Sequence, residues 1–493
     1  MTTDVREVDV LVVGAGLSGI GVARHLVVDR PGTTFVVLEA RDAIGGTWDL
    51  FRYPGIRSDS DLHTFGYEFK PWTDDDAIAD GPRILDYLHE VVAEHDLARH
   101  VRLGHRVVAA DFDADAARWA VTVEVDGGEL QEWSARWLFS AGGYYRYDRG
   151  HSPDFPGLEQ FTGRVVHPQV WPDDLDVSGQ QVVIIGSGAT AITLVPALAT
   201  GPTAAAHVTM LQRTPTYVMP LPRRDRLANA ARRVLPERAA YALTRTKNIA
   251  KGQWVWNLSR SRPQVLRRVI RAAMAKQLPE GYDLDTHFNP PYDPWDQRLC
   301  ADPDGHFFRA IRDGRASVVT DTVESFTPHG IRLASGRELP AALVVTATGL
   351  EVQLMGGIDL SVDGKPVHWP DHVVYRGLMV SGVPNFAFAM GYTNQSWTLR
   401  LSLVCDWFTR LLAHMEAEGL DGAVPEWDPG AETAPALDFQ AGYVQRAAAD
   451  LPRQGVEAPW KVSMDYYADR RQLRRGPLLD DALTLWRGSR RVS

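Results

Sequence analysis

The stretch Val10-Leu11-Val12-Val13-Gly14-Ala15-Gly16-Leu17-Ser18-Gly19-Ile20 decides the fold. Four consecutive branched apolar residues suit a strand buried on both faces of a parallel sheet, and Ile20 to Val28 reads as a helix. In such a strand-turn-helix unit Gly14 permits the tight turn, Gly16 lets backbone N–H groups approach a pyrophosphate, and Gly19 lets the helix pack closely on the strand. The helix N-terminus then faces the anion. A second strand, Phe35-Val36-Val37-Leu38, ends at Glu39, 25 residues beyond Gly14, where a carboxylate can bind ribose hydroxyls. An adenosine ribose without a 2′-phosphate is expected. A glycine turn that serves only the fold is the plain alternative, and the conjunction of strand, glycines, helix and terminal acid favours a bound dinucleotide.

The pattern recurs. Gln181-Val182-Val183-Ile184-Ile185 reads as a strand, Gly186-Ser187-Gly188-Ala189-Thr190-Ala191 as its loop with a small third residue, and a helix continues through Thr193 and Leu194 towards Pro196 and Leu198. The next strand, His207 to Leu211, ends in Gln212-Arg213-Thr214 instead of an acid. A guanidinium there can grip a 2′-phosphate, which selects NADPH over NADH. The alternative is a solvated charge at a strand end. Two dinucleotides on one polypeptide imply internal hydride transfer.

Trp137-Leu138-Phe139-Ser140-Ala141-Gly142-Gly143 and Leu343-Val344-Val345-Thr346-Ala347-Thr348-Gly349 are apolar strands ending in small residues, as needed where a chain passes close to a nucleotide. They predict an α/β fold of two Rossmann-like dinucleotide-binding domains, the first interrupted by the second. The expected bounds are 1–155 for the first part of the first domain, 156–340 for the second domain with a helical insertion over 223–280, and 341–493 for the remainder with C-terminal helices. Trp119 to Val125 with the turn Asp126-Gly127-Gly128 predicts a hairpin before the first return.

At 493 residues the chain has room for two or three domains with a large core. Its two cysteines, Cys300 and Cys405, provide no CxxC pair, metal-ligand spacing or secreted framework. No metal is expected, and disulfide reductase chemistry is excluded. The N-terminus lacks an apolar leader and no run of 18 apolar residues follows, so a cytoplasmic location is expected. A formal net charge of −10 argues against general nucleic-acid binding.

Against that charge, Arg223 to Lys276 holds fifteen Lys or Arg and only Asp225 and Glu237. Val234, Leu243, Ile249, Trp254, Val255, Leu266, Val269 and Ile270 are interleaved, which predicts helices with one basic face. The segment is read as a solvated insertion capping the nucleotide cleft. Attraction of NADPH phosphates and contact with an anionic membrane surface are the other readings.

The stretch Phe161-x-Gly163-x-x-x-His167-x-x-x-Trp171-Pro172, just ahead of the second loop, resembles the fingerprint of type I Baeyer–Villiger monooxygenases. Gly45 to Asp61 (GGTWDLFRYPGIRSDSD), Tyr292 to Cys300 (YDPWDQRLC) and Gly391 to Thr398 (GYTNQSWT) resemble its ethionamide-activating branch, and the similarity runs over nearly the whole chain. The resemblance implies FAD in the first domain and NADPH in the second. By matching position it implies that Arg298 is the active-site arginine and that Asp59 orients it. It also implies that Ser18, Glu39, Thr47, Trp48, Asp49, Asp59 and Val107 contact FAD, and that Gly186, Ser187, Gly188, Ala189, Thr190, Ala191, Ile192, Gln212 and Arg213 contact NADPH. Gln297 departs from the lysine that many Baeyer–Villiger enzymes carry, but agrees with this branch. His167 and Trp171 are read as a hinge between domains.

The implied reaction is NADPH- and O2-dependent oxygenation through a C4a-peroxyflavin. Anionic peroxide converts ketones to esters or lactones, and protonated peroxide oxidises thioethers or thioamides to sulfoxides. Arginine, which stays charged in proteins, suits the stabilisation of a peroxy anion and a tetrahedral adduct. An enzyme oxidising only nitrogen or sulfur, and a non-catalytic flavin redox sensor, are the competing readings. Trp397, Tyr392, Phe386 and Phe388 are expected to form an apolar pocket wall.

Overall fold

The computed structural model describes residues 5–126, 128–297, 299–437, 439–488 and 490–492 of the chain. The strand Arg6–Val13 lies inside a nine-stranded sheet, between Phe35–Leu38 and Glu129–Ser140, and runs parallel to both. Val101–Arg102 extends one side in parallel. On the other side Arg118–Val125 and His105–Asp113 continue antiparallel, and Asp359–Val362 and Lys365–Pro366 close the edge. Val125 pairs with Glu129 across the expected hairpin, of which Gly127 lies outside the described residues.

The burial of Arg6–Val13 shows why its end is a continuous apolar run. Val10 and Val12 point to one face, packing with Leu26, Leu88 and Trp407 from the helices Leu17–Asp29, Gly81–Glu94 and Trp397–Glu418. Leu11 and Val13 point to the other, against Leu38, Trp119 and Phe386. A period of two therefore feeds two cores from one strand. Each such side chain removed from water contributes about 1.5–3 kcal/mol.

A second sheet has the order Ala316–Thr320, His207–Gln212, Gln181–Ile185, Leu343–Thr346, Arg164–Val166, all parallel. The helices Ala189–Ala199 and His306–Arg312 cover one face, through Ile192, Val195 and Phe307. A three-stranded antiparallel sheet, Val323–Thr327, Gly330–Leu333 and Glu338–Pro340, supplies Phe326 and Ile331 to the other. Leu343–Thr346, expected in the returning part of the first domain, instead joins this second sheet. Its sequence suits either parallel sheet, and only long-range pairing distinguishes them. The return to the first sheet is made by Asp359–Val362 and by Phe386–Phe388, which pairs parallel to the end of Glu129–Ser140.

The insertion consists of the helices Arg226–Val234, Glu237–Ser261 and Pro263–Ala275. Its cations do not form a single solvated face. Arg223 pairs with Asp76 and Asp80, each at 2.8 Å, Arg224 with Asp76 at 2.8 Å, and Arg232 with Asp75 at 2.9 Å. Arg245 is buried, and its Nη1 donates to the carbonyls of His63 at 3.0 Å and Gly66 at 3.2 Å. An aspartate-rich loop therefore anchors one side of the insertion. Of the apolar residues interleaved among those cations, Ile249, Leu266 and Ile270 are buried, whereas Val234, Leu243, Trp254 and Val269 face solvent.

Candidate active site

The two glycine loops repeat one construction. Gly14, at φ +96°, turns so tightly that a Cβ would lie 2.9 Å from the Ala141 carbonyl oxygen. Gly186, at φ +132°, stands in the same relation to Ala347, at 2.3 Å. Gly16 and Gly188 precede the helices in nearly identical extended conformations, and neither helix start is capped by the side chain of its preceding residue. The first N–H groups of both helices are thus available to an anion. A Cβ on Gly19 would meet the Gly14 carbonyl oxygen at 1.8 Å, so this glycine allows the helix to seat on its strand.

Where the parallel strands of both sheets end, they border a cavity of about 650 Å³, within the range of small-molecule and cofactor sites. Such a crevice beyond the carboxyl ends of parallel strands is where open α/β sheets bind ligands. It brings together Gly14, Gly16, Ser18, Glu39, Thr47, Trp48, Asp59 and Val107 with Thr190 of the second loop and His167. Glu39 accepts hydrogen bonds from the Ala15 N–H at 2.7 Å and the Arg41 N–H at 3.0 Å. Burial nevertheless holds its carboxyl above the usual range, and these two N–H groups oppose that shift. Asp49 does not line the cavity. It is buried against Arg41, which does, with Nη2 donating to its Oδ2 at 2.5 Å.

The segment 51–59 reaches across to the helix Ala189–Ala199 that covers the second sheet. Arg57 donates from Nη1 to Thr193 Oγ1 at 2.7 Å and from Nη2 to the Ala301 carbonyl at 2.8 Å. Tyr53 hydrogen-bonds Thr190, and its phenol is held well above the ordinary range by burial, with Asp59 adding to the shift. A loop of the first unit is thereby fastened to a helix of the second beside the cavity.

Gly186, Ser187, Gly188 and Ala189 form the second loop and the helix start outside the cavity lining, while Ala191 and Ile192 face the core. Gln212 is buried, and its Nε2 donates to the His287 carbonyl and to Thr320 Oγ1, both at 2.8 Å. Its side chain braces the second sheet. Arg213, one residue on, is exposed. Arg298 lies outside the described residues.

Tyr392 and Trp397 line the cavity as expected for a pocket wall. Phe386 and Phe388 do not: they are buried core of the first sheet, packing with Trp119 and Val380. Residue-by-residue reading missed Tyr144, Tyr145 and Tyr147, three aromatic wall residues directly after Gly142-Gly143. Tyr145 OH shares a hydrogen bond with Thr47 Oγ1 at 2.6 Å, and Tyr144 stacks on Trp397. Trp397 Nε1 in turn donates to Ser18 Oγ at 2.9 Å, tying the wall to the first helix. The polar, aromatic character of that tyrosine run was the available signal. His167 also lines the cavity, and its Nδ1 accepts from the Gln169 N–H at 3.2 Å. Burial holds its pKa below the ordinary range.

Two sheets, each with a parallel strand that ends in an uncapped glycine loop beside a shared crevice, define a two-nucleotide flavoprotein architecture. The flavin-binding monooxygenase-like family matches residues 7–245. The chain is 48% identical over 480 residues to the FAD-containing monooxygenase EthA of Mycobacterium tuberculosis (strain ATCC 25618 / H37Rv), covering 97% of each chain. It is also 48% identical to the probable FAD-binding monooxygenase AlmA of Acinetobacter baylyi (strain ATCC 33305 / BD413 / ADP1), covering 97% of this chain and 96% of that one. The fold matches oxidized steroid monooxygenase bound to NADP, with a TM-score of 0.76, 23% identity, and coverage of 98% of this chain and 100% of that one. It also matches the open structure of cyclohexanone monooxygenase, with a TM-score of 0.70, 23% identity, and coverage of 86% and 90%. This chain belongs to the flavin-binding monooxygenase family.

Proposed function

We propose that the protein is an NADPH- and O2-dependent monooxygenase that converts ketones to esters or lactones and thioethers or thioamides to sulfoxides. The observation that carries this reading is one cavity lined by the first glycine loop, Thr190 at the start of the second helix, Glu39, Asp59 and an aromatic wall. FAD reduced by NADPH would activate O2, which supplies the oxygen atom that is transferred. The residues present fit both groups. The first helix offers uncapped N–H donors to a pyrophosphate, and Glu39 holds a carboxylate at the end of the adjacent strand. The second helix offers the same donors, with open space in front of Gly188 and the exposed Arg213 for a 2′-phosphate.

Tyr144, Tyr392 and Trp397 exclude water from one side of the cavity, which strengthens every charge interaction inside it. In this proposal Arg298 provides the fixed cation and Asp59 orients it. Arg298→Ala is expected to retain flavin yet lose ester formation, and an Ala variant oxidising ketones at the parental rate would overturn the assignment. The whole reading is tested with purified yellow protein, NADPH, O2 and a mixed panel of ketones and thioethers, identifying products by mass. Sulfoxides without esters would reduce it to nitrogen and sulfur oxidation. NADPH consumption unaffected by every substrate would leave a redox sensor.

A further inference from the structure

Seven of the sixteen large apolar side chains that stand exposed among the described residues fall between 227 and 269, on or beside the insertion helices. Elsewhere the exposed apolar residues are scattered, as on any soluble surface. Here Leu227 is 70%, Val234 79% and Trp254 64% exposed. On the long helix Glu237–Ser261, Ala239, Leu243, Ala250 and Trp254 all face solvent, at intervals of four, seven and four residues. That spacing makes one outward stripe.

The charges separate in the same way. Cations on the inner side are paired with Asp75, Asp76, Asp80 and Asp225. Arg226, Arg233, Arg238, Lys251, Arg262 and Arg268 are exposed and stand outside the ion pairs formed among the described residues. Apolar side chains flanked by unpaired cations, on a chain of formal net charge −10, match the interface of a negatively charged lipid layer. A two-fold contact with a second copy would set these cations against their own equivalents.

We propose that the helical insertion seats the protein on the surface of an anionic bilayer. Leu227, Val234, Leu243 and Trp254 enter the boundary between headgroups and acyl chains, and the flanking Arg and Lys meet lipid phosphates. Among the described residues no helix is long and apolar enough to cross a membrane, so the contact is peripheral. The inner side of the same helix touches the cavity wall: Gln395, which lines the cavity, donates from Nε2 to Gln253 Oε1 at 2.8 Å. The stripe thus lies about one helix diameter, roughly 10 Å, from that wall. An apolar substrate dissolved in the bilayer would have a short path to the cavity, a consequence that rests on the function proposed above, whereas the attachment does not.

The test is co-sedimentation of the purified holoenzyme with phosphatidylcholine vesicles, with and without phosphatidylglycerol, at low and high salt. Pelleting is expected only with the anionic vesicles, declining as salt screens the cations. The pair Leu243→Asp and Trp254→Asp should weaken partitioning by about tenfold or more, and Arg238→Glu with Lys251→Glu should do likewise. Flavin content and NADPH oxidation in vesicle-free buffer should be unchanged in both. The milder pair Leu243→Asn and Trp254→Gln guards against misfolding of the first. Absence of pelleting at low salt, or undiminished pelleting of the variants, would overturn the proposal. So would a dimer, seen by sedimentation velocity, that the apolar-to-acid pair dissociates.

Discussion

Arg400 has no exposed surface, and Asp469, 3.5 Å from its Nε, is almost as enclosed. Tyr392, whose ring lines the cavity, donates from its hydroxyl to Asp469 Oδ2 at 2.7 Å. Burial holds the Asp469 carboxyl above its ordinary range, while Arg400 and Tyr392 oppose that shift. Removing one member of such a pair leaves an uncompensated buried charge, which costs about 3–5 kcal/mol. Asp469→Asn should therefore lower Tm markedly, and Arg400→Met with Asp469→Leu should recover most of the loss. Differential scanning calorimetry checks both, and an Asn variant with the parental Tm would show that this charge is balanced elsewhere. Arg213 makes the corresponding prediction for specificity. Loss of a charge-assisted contact worth about 1.5–3 kcal/mol should raise KM for NADPH by about ten- to a hundredfold while leaving KM for NADH nearly unchanged. Equal effects on the two cofactors, in steady-state kinetics of Arg213→Ala, would remove the phosphate role. The residues legible in sequence were those whose backbone demands are unusual, such as Gly14 and Gly186. The bond from Trp397 to Ser18 spans most of the chain, and the core roles of Phe386 and Gln212 depend on strand neighbours that no local pattern reveals.

At the scale of elements, the two strand-loop-helix units are close copies, so their first glycines can be substituted separately to ask what each unit binds. Gly186→Ala places a Cβ against the Ala347 carbonyl in a backbone conformation that alanine rarely adopts, a strain of about 1–3 kcal/mol that the loop relieves by moving. The variant is expected to purify with its flavin and to be reduced by NADPH about ten- to a hundredfold more slowly, read by stopped-flow bleaching of the flavin band. A colourless Gly186→Ala protein would mean that the units do not bind their nucleotides independently. Strand and helix starts were legible because buried parallel strands and glycine loops impose composition. The insertion was legible only as helices: the interleaved apolar residues predict one basic face, but Ile249 and Ile270 turn in while Leu243 and Trp254 turn out beside exposed cations. Periodicity specifies that a face exists, and the aspartates at 75, 76 and 80 help decide which side of the insertion is anchored.

Across the whole molecule, the interruption of one sheet by another was legible from the repeated loops. The strand carrying the chain back was not, since Leu343–Thr346 and Phe386–Phe388 are equally apolar and only pairing separates them. The assembled chain also has a collective property that no single motif contains. His63, His95, His100, His151, His167 and His287 are all held below the ordinary imidazole pKa, with burial as the largest cause in each. For a base whose folded pKa is depressed, the unfolded chain binds more protons between the folded value and about 6.5, so stability falls as pH drops through that window. Glu39, Asp302 and Asp469 act in the opposite sense, because their raised folded pKa values let the native state take up protons first. Their window begins near the ordinary carboxylate range, lower than that of the histidines. Between pH about 7.5 and 6 the histidines therefore dominate, and Tm should fall steadily across this interval. Calorimetric unfolding near pH 6.3, in two buffers of different ionisation enthalpy, should reveal net proton uptake. Proton release on unfolding at that pH, or a Tm that rises on acidification, would mean that the buried histidines are already charged in the native protein.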